Sequence, residues 1–190
     1  MESTVSRNSS STRVILTCGA LGVALGIVLV PANLVTIAFM ATAPLLVLSL
    51  MGAWLLPPFT ALALLRRPGV GLLTSVIAGL VTVPLTPFGW MGLFQGVLWG
   101  VLCEIPFLVT RYRLWPTWLF TGTGLLVAVI GLIPTYTTYG LDQMPVPVML
   151  AAVALTIASC VLAAYLSVLI ARALGRTGIA PARRERVTPA

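Results

Sequence analysis

The sequence predicts an all-α integral membrane protein, a six-transmembrane-helix bundle with its N- and C-termini cytoplasmic. Two observations carry that prediction. Hydrophobic residues make up 59% of the chain and charged residues 8%. A soluble domain carries about 25% charged residues, so this chain cannot cover a water-facing surface. The second observation is where the eleven basic residues fall, every one of them an arginine. Arg7 and Arg13 precede the first apolar stretch, and Arg66 and Arg67 follow the second. Arg111 and Arg113 follow the fourth, and Arg172, Arg176, Arg183, Arg184 and Arg186 follow the sixth. The gaps between hold none. Short basic loops stay cytoplasmic, so this alternation sets six spans with both ends inside.

A helix needs about 20 apolar residues to cross the hydrocarbon core. The first span is expected over 14–30, after a Ser/Thr-rich cytoplasmic segment, 1–13, expected to be disordered. No convincing small-residue cleavage site follows, so a retained span is expected rather than a signal peptide. Residues 31–43, opened by Pro31, read as an outer loop or re-entrant segment. Non-helical backbone at that depth needs protein or a wet cavity over it. The second span, 44–65, is kinked by Pro57 and Pro58. The Arg66-Arg67-Pro68-Gly69 turn opens a short third span, which Pro84 closes near Leu85. An outer loop, 86–90, leads to the fourth span, 91–109. The fifth is expected over 118–133 and the sixth over 148–170, joined by an outer loop carrying Tyr136, Tyr139, Asp142 and Gln143. The membrane domain is thus 14–174, with a basic cytoplasmic tail over 175–190.

Composition excludes several classes of function. Without lysine there is no Walker loop, so the chain does not hydrolyse nucleotide itself. Without histidine there is no His-based acid–base chemistry and no His-ligated metal. Cys18, Cys103 and Cys160 lie inside apolar stretches and read as small packing residues. No cofactor, metal site or catalytic set is expected. The net charge of +7 comes from helix-end arginines that meet anionic headgroups, not from a nucleic-acid surface.

Polar residues inside the spans mark where function could sit. Small residues on the first span form two stripes, Cys18-Gly22-Gly26 and Ala20-Ala24. Such stripes let helices approach closely, either within this protein or against another membrane subunit. On the fourth span, Gln95 and Trp99 share a face by the 3.6-residue period. Glu104 points roughly the other way, with Phe107. An ionisable group inside a span is a functional candidate by default. Three roles stay open for Glu104: ligand contact, partner contact, or a structural bond near Pro106 or an inner arginine. Asn33, Trp90, Gln95, Trp99, Tyr136 and Gln143 could gather at the outer ends. Aromatic faces with amide donors and acceptors suit a flat heterocycle; an interfacial aromatic belt is the competing reading for Trp90, Tyr136 and Tyr139.

The stretch from Arg66-Arg67-Pro68-Gly69 through Gln95-Gly96, Trp99-Gly100, Glu104 and Phe107 to Arg111-Tyr112-Arg113 and Trp115 resembles the YkoE family. These are substrate-capture (S) components of energy-coupling factor (ECF) transporters in bacterial plasma membranes. The resemblance is strongest over 66–115. It implies a multi-pass subunit that binds thiamine or its hydroxymethylpyrimidine precursor from outside. It also implies partners: a transmembrane coupling subunit and two cytoplasmic ATPase subunits. Asn33, Trp90, Gln95, Trp99, Glu104 and Tyr136 become the expected substrate contacts. Ala20, Gly22, Ala24 and Gly26 become the expected docking face. The chain departs from the family pattern at Ser75 and Thr82, where acidic residues are usual, and at Trp99, which replaces a second Gln. Losing two carboxylates favours a neutral heterocycle over a cation. A standalone small-molecule permease and a non-transporting membrane accessory protein are the alternatives.

Overall fold

The protein is described from a computed structural model covering residues 3–138 and 140–177. Among these residues every regular element is helical. The elements are α1 (Ser3–Phe39), α2 (Pro44–Ser49), α3 (Leu56–Leu65), α4 (Val70–Leu85), α5 (Trp90–Val109), α6 (Thr117–Thr138) and α7 (Val146–Arg176), with 3₁₀ turns at Met51–Leu55 and Leu141–Gln143. Five segments are long and apolar enough to cross a bilayer, with α2 and α3 together forming one of them. α4 is a shorter apolar helix. Its 16 residues extend about 24 Å, against a hydrocarbon core of about 30 Å.

The largest difference from the sequence reading lies in α1. It runs unbroken past Pro31 to Phe39, replacing the loop expected from 31. Proline cannot donate its missing N–H to the residue four back. A helix this long keeps its other hydrogen bonds and tolerates that loss. α6 likewise runs through Pro134. Tyr139 and the tail beyond residue 177 lie outside the described residues.

Pro57 and Pro58 act as expected, though just ahead of themselves. They supply no N–H to the carbonyls of Ala53 and Trp54, and the chain tightens to 3₁₀ over Met51–Leu55 before α3 resumes. Ser159 of α7 secures this segment. Its hydroxyl accepts the Gly52 N–H at 3.0 Å and donates to the Ser49 carbonyl at 2.6 Å.

Small residues set the packing. α4 lies against α5, α1 and α3, while α7 packs on α3 and α6. A Cβ on Gly22 would sit 2.7 Å from Cβ of Ile77, and one on Gly26 would sit 2.9 Å from Cβ of Val81. Gly22 and Gly26 are therefore consumed by the α1–α4 contact. This corrects their expected place on an outward docking face. Ala20 and Ala24, on the other stripe, are exposed. A Cβ on Gly96 would fall 2.5 Å from the Ser75 carbonyl oxygen, and the Ser75 hydroxyl donates to the Gly96 carbonyl at 2.7 Å. α4 and α5 thus touch backbone to backbone.

These contacts fix which helix ends lie together. The Gly22–Ile77 and Gly26–Val81 pairs make α1 and α4 parallel. Glu104 near the end of α5 bonds the start of α4, and Arg172 near the end of α7 donates to Thr117 at the start of α6 at 3.1 Å. Arg13, Arg66, Arg67, Arg111, Arg113, Arg172 and Arg176 consequently gather at one end of the bundle.

Candidate functional site

At the end opposite the arginines, α1, α2, α5 and α6 surround a cavity of about 280 Å³. Its wall includes Ala32 and Thr36 of α1, Met51 and Trp54 of the 3₁₀ turn, Gln95, Leu98 and Trp99 of α5, and Gly131, Pro134 and Thr135 of α6. The volume is at the small end of ligand pockets and suits a single-ring molecule. No residue of the wall carries a formal charge.

The polar groups form a definite pattern. The Trp99 indole N–H donates to Oε1 of Gln95 at 2.7 Å. Both lie on one face of α5, four residues apart, and the bond occupies the Gln95 oxygen. The two amide N–H donors of Gln95 stay available. Thr36 donates its hydroxyl proton to the Ala32 carbonyl at 2.8 Å, and Thr135 donates to the Gly131 carbonyl at 2.6 Å. Each hydroxyl therefore offers the cavity lone pairs rather than a proton. Trp54 and Trp99 supply apolar ring surface. Gly131 leaves the space that the Trp99 ring and Met51 occupy at the cavity floor; a Cβ there would lie 3.0 Å from the Trp99 ring.

Of the expected substrate residues, Gln95 and Trp99 line this cavity together. The other four do not. Trp90 is 73% exposed, and Tyr136 is exposed on the helix surface. Asn33 is fully buried outside the cavity wall, and neither atom of its amide has a partner. Glu104 belongs to the other end of α5, nine residues beyond Gln95 and about 14 Å along the axis. Trp54, Met51, Thr36 and Thr135 were not anticipated. Trp54 sits in a segment whose 3₁₀ register breaks the 3.6-residue pattern. The two threonines lie in stretches expected to be loop.

Glu104 answers to a structural role. Its Oε1 accepts the N–H groups of Gly71 at 2.9 Å and Leu72 at 3.1 Å. Its Oε2 accepts the N–H of Gly69 at 3.2 Å and the phenol of Tyr112 at 3.1 Å. These N–H groups open α4, where a helix has donors without intrahelical partners and a positive dipole end. α4 carries no capping side chain of its own, so α5 supplies the cap. Gly69, at φ +79°, forms the turn in a region other residues resist. Around the cap, the Trp115 indole donates to the Tyr112 carbonyl at 3.0 Å and stacks on Phe107 with ring centres 5.4 Å apart. Burial, and then the Glu104 charge and hydrogen bond, push the Tyr112 phenol up to about 12. The three cysteines are free and buried, as packing residues.

A family described as the permease component of an ABC-type cobalt transport system matches residues 13–130, well over half of the chain. The chain belongs to this family. As one of these permease components it is a multi-pass plasma-membrane protein of a transport system. No curated protein matches it. Its fold is shared with a solved protein, "Crystal structure of an S-component of ECF transporter", at a TM-score of 0.77 and 22% identity over 87% of this chain and 85% of that one. At that identity the likeness speaks for the fold.

Proposed function

We propose that this permease component is the substrate-binding subunit of an ECF-type importer. It would capture a small neutral heterocycle of the thiamine-precursor class at the Gln95–Trp99 cavity. The carrying observation is the uncharged, aromatic wall bearing amide donors and threonine acceptors. A ring with an acceptor nitrogen and an amino or hydroxyl donor, such as hydroxymethylpyrimidine, complements it. Thiamine itself would bring a positive charge that no carboxylate in the wall meets; Glu104 is engaged elsewhere and Ser75 holds the α4–α5 contact. The proposal includes six spans, with α4 as the short one, and the arginine end cytoplasmic. A transmembrane coupling subunit and two ATPases would drive uptake, since the chain lacks a nucleotide-binding loop. Ala20 and Ala24 are the docking residues kept in the proposal.

Cobalt, named in the family's description, is the second cargo to weigh. The cavity offers an amide, hydroxyls and thioethers, without the imidazole or carboxylate donors that suit such divalent ions. Among the described residues no three His, Cys, Asp or Glu side chains come together. Uptake of labelled hydroxymethylpyrimidine, thiamine and cobalt, in cells expressing the chain with and without a coupling subunit and its ATPases, separates these readings. Pyrimidine uptake dependent on those partners, and reduced at least tenfold by Trp99→Ala, is expected. Partner-independent uptake would indicate a standalone permease, and cobalt uptake would overturn the heterocycle.

A further inference from the structure

One bond decides which way the polar wall of the cavity faces. An indole nitrogen can only donate, whereas a glutamine amide can present either its oxygen or its NH₂ group. The 2.7 Å bond from the Trp99 indole to Oε1 of Gln95 therefore sets the amide's orientation. Reversing the amide would place NH₂ against N–H. The indole, on a residue only 7% exposed, would then lose its acceptor, a larger cost than a typical net hydrogen bond. The pair is held on both sides. Gly96 and Gly100, each the next residue along α5, are seated on α4. A Cβ on Gly96 would fall 2.5 Å from the Ser75 carbonyl oxygen, and one on Gly100 would fall 3.0 Å from Cα of Leu72. These contacts fix the rotation of α5. The edge of the Trp99 ring lies against Gly131 of α6.

We infer that Trp99 is a positioning residue that sets the hydrogen-bond polarity of the site. It holds Gln95 so that the amide presents donors only, while Thr36 of α1 and Thr135 of α6 present lone pairs. This rests on the cavity being the substrate site. It narrows the substrate to heterocycles with a bare ring nitrogen, an acceptor, beside an amine donor. Hydroxymethylpyrimidine, an aminopyrimidine, meets that description. Its oxo counterpart has nearly the same outline, but carries a proton on that nitrogen and a carbonyl in place of the amine. In the same seat its N–H meets the Gln95 N–H, and its carbonyl oxygen meets threonine lone pairs. Turning the ring over restores the pairing only by exchanging the seats of the other substituents, within a cavity of about 280 Å³. A site built on fixed hydrogen bonds rejects such a mismatch, because buried groups are left unpaired.

The test titrates the purified full-length chain with hydroxymethylpyrimidine and with its oxo counterpart. The native chain is expected to bind the amino form about tenfold more tightly, or better. Trp99→Phe keeps an aromatic ring but has no N–H, so Gln95 can turn either edge inward, and the ratio should fall below about threefold. Equal binding of the two forms by the native chain, or a ratio that Trp99→Phe leaves unchanged, overturns the inference while the heterocycle reading stands. Binding of neither form to the native chain overturns that reading, and the inference with it. Should Trp99→Phe not fold, Gln95→Met, at a half-buried position, takes its place with two readouts. The ratio should fall likewise, and the indole band of the resonance Raman spectrum should report the loss of a tryptophan hydrogen bond. An unchanged ratio or an unchanged band overturns the inference.

Discussion

At the scale of single residues, Glu104 shows how environment separates two polar groups on one helix. Gln95 faces the cavity, whereas Glu104 caps α4. Glu104→Ala would leave three N–H groups and a phenol without their acceptor. A loss of about 2–4 kcal/mol is expected from charge-assisted bonds of this kind, read as a lowered Tm in detergent. Glu104→Gln keeps one oxygen and should lose roughly half as much. Ligand affinity of whatever protein stays folded should be unchanged, which separates a cap from a ligand contact. Tyr112 adds a pH dependence. Its proton is held more tightly in the folded chain, with the phenol near 12 instead of 10.0. That contribution is complete below pH 10 and is lost as pH rises toward 12. Tyr112→Phe should remove the corresponding alkaline decline in Tm.

At the scale of elements, close helix contacts and one interrupted span shape the bundle. Gly96→Leu should cost about 1–3 kcal/mol or prevent folding, because the side chain would meet the Ser75 carbonyl. Gly19→Leu is the control, since a Cβ there meets nothing within 4 Å, and its Tm should hardly move. Ser159→Ala would orphan the Gly52 N–H and the Ser49 carbonyl, for about 1–3 kcal/mol, and should weaken ligand binding by loosening Met51 and Trp54. The sequence made the spans legible because apolar length and arginine placement are coarse, additive signals. It failed at α1 because Pro31 was read as a stop. A helix embedded in apolar surroundings has no water to take over its freed carbonyls, so it continues instead.

At the scale of the whole molecule, the seven arginines from Arg13 to Arg176 gather at one end and the cavity at the other. The residues that carry the resemblance to a known family, from Arg66 to Trp115, divide between these ends. Glu104, Tyr112 and Gly69 build the α4 cap, and Gln95 with Trp99 supplies part of the cavity wall. Besides other α5 residues, the wall comes from α1, α2, the 3₁₀ turn and α6, distant in sequence and lacking local periodicity, so only tertiary packing brings Thr36, Trp54 and Thr135 to Gln95. Their coming together is also why Asn33, Trp90 and Tyr136, chosen for chemistry alone, stand outside it.

The central claim is that this cavity binds a neutral heterocycle through Gln95 and Trp99. Calorimetric titration of the purified chain with hydroxymethylpyrimidine, thiamine and cobalt tests it most directly. Saturable binding of the pyrimidine is expected, at least tenfold weaker in Gln95→Leu and Trp99→Ala and unaltered in Trp90→Ala. Preference for the charged ligands, or pyrimidine binding indifferent to Gln95 and Trp99, would contradict it.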